Sequence, residues 1–148
     1  MARIGIISDT HGLLRPRALA ALEGSDLIIH AGDVGRPEIL DALRAIAPVT
    51  AVRGNIDTDP WAAALPETAE VDRIYVLHNL RDLAIDPAAR GYRMVIAGHS
   101  HKPGTFEKNG VIYVNPGSAG PRRFRLPATV ARFDSAESPW NIEFLDVL

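Results

Sequence analysis

The strongest constraint on folding is a set of five short apolar runs, RIGIIS, DLIIH, PVTAVR, RIYVL and RMVIA, each of strand length. Each run stops on or just before a polar cluster: Ser8-Asp9-Thr10-His11-Gly12, Ala31-Gly32-Asp33, Gly54-Asn55, Leu77-His78 and Gly98-His99-Ser100-His101. Runs of this kind, rich in β-branched residues and too short for buried helices, predict core strands. A chain built on them delivers oxygen and imidazole groups to strand ends, where open α/β sheets collect their ligands.

Between the first runs lie helical patterns. LRPRALAALEG spaces Leu14, Ala18 and Leu22 along one face and offers Gly24 as a stop. GRPEILDALRAI puts Pro37 in a first helical turn, with Ile39, Leu40, Leu43 and Ile46 on one face. Strand and helix alternating in this way predict βαβ units and a mostly parallel sheet. The second half reads differently. TAEVDRIYVLHN is strand-rich with a tight turn around Asp72-Arg73, and LRDLAIDPAARGY fits a loop and a short helix from Asp86-Pro87. Asn109-Gly110 between apolar runs is a hairpin signal, and PATVARFD and SPWNIEFLDVL read as two last antiparallel strands. The expected architecture is α/β, two mixed sheets packed face to face with helices outside, in one domain over residues 1–148. Met1, Trp61, Met94 and Trp140 read as packing residues.

The chain has 148 residues, 47% of them hydrophobic, which suits a folded core and argues against disorder. Its net charge of −2 gives no surface for coating nucleic acid. No apolar run approaches the ~20 residues that cross a bilayer, and the start carries no leader pattern. A cytoplasmic protein is the expectation. Cysteine is absent, so a bound metal would have only nitrogen and oxygen ligands.

Taken singly, the polar clusters are ambiguous. Asp9 and His11 at i, i+2 in an extended segment would point to one side and could share a metal; such a loop can equally cap a helix. Asp33 could bridge two ions or cap the next helix. His30 fits a satisfied core histidine or an outer hydrogen bond to a ligand. Asn55 offers a neutral oxygen and a free amide, or a plain turn. His78 alone fits a structural histidine, whereas His99 and His101 make a stronger pair. The set decides: Asp9, His11, Asp33, Asn55, His78, His99 and His101 all fall at carboxyl ends of separate predicted strands, which predicts a metal centre. An amidohydrolase barrel is excluded by length, since such barrels run to ~250 residues.

In this order, Asp-x-His, Gly-Asp, Gly-Asn, His, Gly-His-x-His, the chain resembles the calcineurin-like metallophosphoesterase superfamily. Gly98-His99-Ser100-His101-Lys102-Pro103 and Asn115-Pro116-Gly117-Ser118 resemble its small bacterial and archaeal phosphodiesterase branch. The resemblance runs over nearly the whole chain and implies a four-layer α/β/β/α sandwich. It also implies two divalent ions, with Mn²⁺ the working choice and Ni²⁺, Co²⁺, Fe²⁺ or Zn²⁺ compatible. Asp9, His11, Asp33 and His101 would hold the first, and Asp33 would bridge to a second held by Asn55, His78 and His99. Asp33, Asn55 and His99 would then be the catalytic residues, around a bridging water that attacks phosphorus. Substrate contacts would come from Asn55, Ser118 and Arg122 or Arg123. The expected partner is a small phosphate ester, with a homo-oligomer compatible, and the competing expectation is a non-catalytic scaffold on the same fold.

Two positions depart from the family pattern. Many relatives have histidine after the ligand Asn, proposed to protonate the leaving group, where this chain has Ile56 and then Asp57. Asn79 stands where relatives usually have glycine, so a left-handed turn is expected there, which Asn tolerates.

Overall fold

The computed structural model describes residues 2–123 and 125–148. Strand β1 (Arg3–Ile7) leads to helix α1 (Pro16–Leu22), β2 (Leu27–His30), α2 (Pro37–Arg44) and β3 (Val49–Ala51). Both helices begin on proline, whose missing N–H costs nothing in a first turn. The second half supplies β4 (Thr68–Val71), β5 (Ile74–Leu77), β6 (Met94–Ile96), β7 (Gly104–Lys108), β8 (Val111–Asn115), β9 (Thr129–Asp134) and β10 (Glu143–Asp146). One sheet has the order β10-β9-β1-β2-β3 and the other β4-β5-β6-β8-β7. The pairs β1–β2, β2–β3, β5–β6 and β6–β8 are parallel, and the outer pairs are antiparallel. This is the sandwich of two mixed sheets that the sequence implied.

Strand alternation explains the layers. Ile4, Ile6 and Ile29 of the first sheet meet Ile74, Val76, Met94, Ile96 and Val114 of the second in a buried core between the sheets, closed at one end by Phe133 and Trp140. Ile7, Ile28 and Val130 face the other way, against Ala18 and Leu22 of α1 and Ile39, Leu40 and Leu43 of α2. The outer face of the second sheet carries Leu77, Val95, Ala97, Val111 and Tyr113. Its cover is thin: Leu80 and Leu83, around a 3₁₀ turn at Leu80–Asp82, pack on it. The helix expected from Asp86-Pro87 is a single turn, closed by Arg90 N–H to Asp86 O and Tyr92 N–H to Pro87 O. Trp61 packs against the helical layer, while Met1 lies outside the described residues.

The two hairpin turns are those expected. Asp72 and Arg73 have φ of 47° and 65°, and Asn109 and Gly110 have 52° and 79°. Positive φ at both central residues makes each a type I′ turn, whose twist matches that of the flanking strands.

Candidate metal centre

Asp9 and His11 follow β1, Asp33 follows β2, Asn55 follows β3, His78 follows β5, and His99 and His101 follow β6. The parallel strands thus deliver every one of these residues to one edge of the sandwich. The local conformation is not the extended one the i, i+2 spacing suggested. Asp9, His11, Asp33, His99 and His101 all have positive φ, from 47° to 72°. The chain leaves each strand by left-handed steps, which side chains other than glycine adopt at a cost. The side chains of Asp9 and His11 still meet, His11 Nε2 lying 3.7 Å from Asp9 Oδ1.

Two clusters share the Asp9 carboxylate. Asp9 Oδ1 is 3.3 Å from His101 Nε2, and with His11 these three offer ligand atoms mutually within 4.8 Å. Asp33 Oδ2 is 3.5 Å from His11 Nε2 and 3.3 Å from His78 Nε2, so it stands between the clusters. Asp9, Asp33 and His78 form the second group. The His99 ring lies edge-on to that of His78, with centroids 5.3 Å apart. The Asn55 amide closes this side: its inward terminal atom is 2.9 Å from His78 Nε2 and 3.2 Å from Asp33 Oδ2. A nitrogen there donates to both neighbours, whereas an oxygen there becomes a further ligand atom.

Hydrogen bonds outside the cleft set what faces it. His78 Nδ1 donates to Ala31 O at 2.7 Å, which directs Nε2 to the carboxylates. Asp9 Oδ2 accepts from the Ser8 hydroxyl at 2.6 Å and from His99 N–H at 3.1 Å. Asp33 Oδ1 accepts from Ile56 N–H at 3.0 Å. Asp9 Oδ1, His11 Nε2 and His101 Nδ1 are buried without a hydrogen-bond partner. Buried polar atoms are normally satisfied, and hard oxygen and imidazole donors converging in this way fit a divalent cation. Gly98 and Gly54 permit the approach: a Cβ on either would strike the Asp9 or Asp33 carboxylate.

The titrations follow the same geometry. Burial pushes the Asp9 carboxyl up, but His101, His11, Ser8 and the charge of His78 together hold it well below the usual range. The Asp33 carboxyl is also lowered, burial being outweighed by His78 and the Ile56 N–H. His11 is raised by its contact with Asp9, and His78 is raised by Asp33 and Asp9 despite its burial.

The residues around the clusters have partners of their own. Ser118 is only 2% exposed and donates to Asp9 O at 3.0 Å, so it fixes the Asp9 loop and offers no free proton to a phosphate. Arg122 Nε donates to Leu126 O at 3.0 Å, whereas Arg123 is the arginine whose charge His11 feels. Asn79 has φ of −115° and caps the following 3₁₀ turn by accepting from Arg81 N–H, so no left-handed residue is needed there. His30 is a satisfied core histidine. Its Nδ1 accepts from Gly32 N–H, and Nε2 meets Thr10 Oγ1, which in turn donates to Val34 O. Asp57 was missed altogether. Its buried carboxylate accepts three backbone N–H groups, from Val34, Gly35 and Gly54, and so ties the Asp33 loop to the Asn55 loop. The signal was an Asp two residues after the Gly54-Asn55 pair.

A family profile described as the calcineurin-like phosphoesterase superfamily domain matches residues 2–138. The chain belongs to this superfamily. A probable metallophosphoesterase of Methanothermobacter thermautotrophicus is 34% identical over 151 residues, which cover 88% of this chain and 86% of that one. Phosphodiesterase YfcE of Escherichia coli is 26% identical, over 91% and 89% of the two chains. Among solved structures, that of a novel archaeal phosphodiesterase superposes with a TM-score of 0.78 at 23% identity, over 97% of this chain and 99% of that one. Vps29 of Entamoeba histolytica, solved in complex with zinc, gives 0.66 at 22%, over 99% of each chain. This phosphoesterase-superfamily chain thus shares its fold with proteins named as phosphodiesterases and with Vps29. A metallophosphoesterase domain of this family is built to hold divalent metal, and the clusters above are where this one offers ligands. Among its described residues no helix is long and apolar enough to cross a membrane.

Proposed function

We propose that the protein hydrolyses small phosphate diesters with the help of two divalent ions, Mn²⁺ being the working choice. Asp9, His11, Asp33 and His101 would hold one, and Asp33, Asn55, His78 and His99 the other. The observation that carries this reading is the convergence of Asp9 Oδ1 and His11 Nε2, buried without hydrogen bonds, on Asp33 and His78. Divalent ions bound there acidify water and neutralise charge on phosphoryl oxygens.

The chain's own groups divide the remaining work. The Ala31 carbonyl holds His78 with Nε2 inward, and Ser8 and the His99 amide hold Asp9 with Oδ1 inward. This arrangement keeps the lone pairs aimed before substrate arrives, which is preorganisation. Asn55 stands at the edge of the cleft, where its amide can contact a phosphate oxygen. Arg123, near enough to depress His11, brings positive charge for an anionic ester. Ile56 offers no proton, and Asp57 beside it is engaged by three N–H groups, so protonation of a departing alcohol falls to solvent. Diesters with acidic leaving alcohols should therefore turn over fastest.

The test is hydrolysis of bis-p-nitrophenyl phosphate by metal-stripped protein with and without Mn²⁺, with p-nitrophenyl phosphate alongside. The expected result is turnover restored by Mn²⁺, faster on the diester, and reduced at least ~10²-fold by Asp33→Asn, since even outer partners of ligands cost 10–100-fold. No turnover with Mn²⁺, Ni²⁺, Co²⁺ or Zn²⁺ would overturn the reading in favour of a scaffold.

A further inference from the structure

Asp57 is only 3% exposed, and its carboxylate is engaged by backbone N–H groups from two different loops. Oδ2 accepts from Val34 N–H at 3.1 Å and from Gly54 N–H at 2.9 Å, and Oδ1 accepts from Gly35 N–H at 3.0 Å. Two of these donors follow Asp33 directly, and the third immediately precedes Asn55. Hydrogen bonds to a carboxylate are roughly twice as strong as those between neutral groups. One side chain therefore clamps the segment of Asp33, the candidate ligand of both ions, to the segment of Asn55, a candidate ligand of the second ion alone.

The two segments differ in what else anchors them. The Asp33 segment is tied to the loop after β1 by its own backbone. His11 N–H donates to Asp33 O at 2.9 Å, Gly12 N–H to Val34 O at 2.8 Å, and Asp9 N–H to Gly32 O at 3.0 Å. The Thr10 hydroxyl adds a bond to Val34 O at 2.8 Å. The Asn55 segment has far less. Among the described residues, and apart from Asp57 and the Asn55 amide itself, it bonds to the Asp33 segment only through Ile56 N–H to Asp33 Oδ1, at 3.0 Å. His78 is aimed separately by the Ala31 carbonyl, and Asp9 by Ser8 and the His99 N–H. Taking away the Asp57 carboxylate thus frees Asn55 while the anchors of Asp9, His11 and Asp33 stay in place.

We propose that Asp57 is a positioning residue for the second ion. It holds Asn55 against the Asp33 and His78 side of the cleft, and so governs the affinity of the second ion with little influence on the first. The inference rests on the two-ion reading above. Asp57 grips backbone amides, so the clamp is formed before any ion arrives, as a preorganised site requires.

Titration of Mn²⁺ into metal-stripped protein tests this, with calorimetry and electron paramagnetic resonance as readouts. Asp57→Asn keeps the side-chain size but puts an N–H donor against at least one of the three amides. The wild type should bind two ions. In Asp57→Asn the first should bind as before and the second about 10–100-fold more weakly, the usual cost of losing an outer partner of a ligand. With two equivalents added, the wild type should show the spectrum of a spin-coupled Mn²⁺ pair and the variant that of isolated Mn²⁺. Asn55→Ala should weaken the second ion alike, and adding Asp57→Asn to it should cost little more, because both act through one ligand. Equal weakening of both ions would overturn the proposal by making Asp57 a brace of the whole fold, and so would an unchanged second ion. In both cases two ions in the wild type leave the diesterase reading standing. A wild type that takes up fewer than two ions removes the two-ion reading, and the proposal with it. If Asp57→Asn does not fold, amide exchange in the wild type decides. Slow exchange of Val34, Gly35 and Gly54 N–H in the metal-free protein supports the clamp, and exchange that slows only with the second equivalent of Mn²⁺ overturns it.

Discussion

Left-handed backbone at Asp9, His11, Asp33, His99 and His101 is expensive, about 1–2 kcal/mol for each residue with a side chain. Five such residues in one cleft persist because the surrounding hydrogen bonds over-determine them, a pattern that gathers at functional sites. Here lies the limit of what the sequence could tell at this scale. The candidate ligands were readable from residue type at strand ends, but the turn that aims each side chain was not. The hydrogen bonds of Ser118 to Asp9 O and of Arg122 Nε to Leu126 O were not readable, because nothing in a sequence shows that a hydroxyl or guanidinium N–H already meets a carbonyl. His30 gives a residue-scale prediction. Burial pushes its imidazole down to about 4, from the 6.5 of an exposed histidine. A depressed folded value means the unfolded chain binds the extra proton, so this contribution to stability is intact above pH 6.5 and is lost as pH falls towards 4. The loss reaches roughly 3 kcal/mol across that window. Denaturant unfolding of the wild type and His30→Gln at several pH values should show the wild type losing stability faster on acidification; parallel curves would refute it. Ile56 gives another. It is 42% exposed, so Ile56→His should fold normally and raise hydrolysis of alkyl diesters, by up to ~10²-fold for a restored general acid, with little change for aryl ones. A uniform change across leaving groups would contradict that assignment.

Hairpins and helices were legible because their signals are local. Pro37 and Pro16 start the helices, Gly24 with φ of 82° follows α1, and Asn109-Gly110 closes β7 to β8. The segment from Leu80 to Gly91 was less so, since its form is set by what it covers. It folds over the outer face of the second sheet as a 3₁₀ turn and one further turn, too short to bury a helical stripe. The Asp72-Arg73 turn carries an element-scale prediction. Both residues hold positive φ, and the Arg73 carbonyl, which accepts from Arg93 N–H, does not depend on the side chain. Replacing the pair by Asn-Gly relieves left-handed strain, partly offset by the greater freedom of glycine in the unfolded chain. The net should be a gain of about 0.5–1 kcal/mol, or Tm higher by a few degrees in a domain of this size. A lower Tm would mean that the side chains contribute more than the turn.

At the scale of the whole molecule, the carboxyl ends of parallel strands from both sheets, with Ser118 and Asp57 as braces, form one rim whose charge is balanced only when a cation or protons are present. Protons on His11 and His78 do this in the metal-free protein, their affinities raised by Asp9 and Asp33. A raised folded value contributes stability below about pH 6.5 that disappears as pH climbs through it. A metal must displace those protons, so its affinity grows over the same interval. The metal-free and metal-loaded stabilities should therefore diverge with pH. At a concentration 100 times Kd one ion stabilises the fold by about 2.7 kcal/mol, or roughly 5–10 °C in Tm for a domain of this size. The Tm gap produced by Mn²⁺ should be widest near pH 8 and shrink towards pH 6, with proton release seen by calorimetry in buffers of different ionisation enthalpy. Asp33→Asn should abolish most of the gap at every pH, because it removes the carboxylate that stands between His11 and His78 and is proposed to hold both ions. A gap independent of pH would mean that the ion binds elsewhere, leaving His11 and His78 protonated.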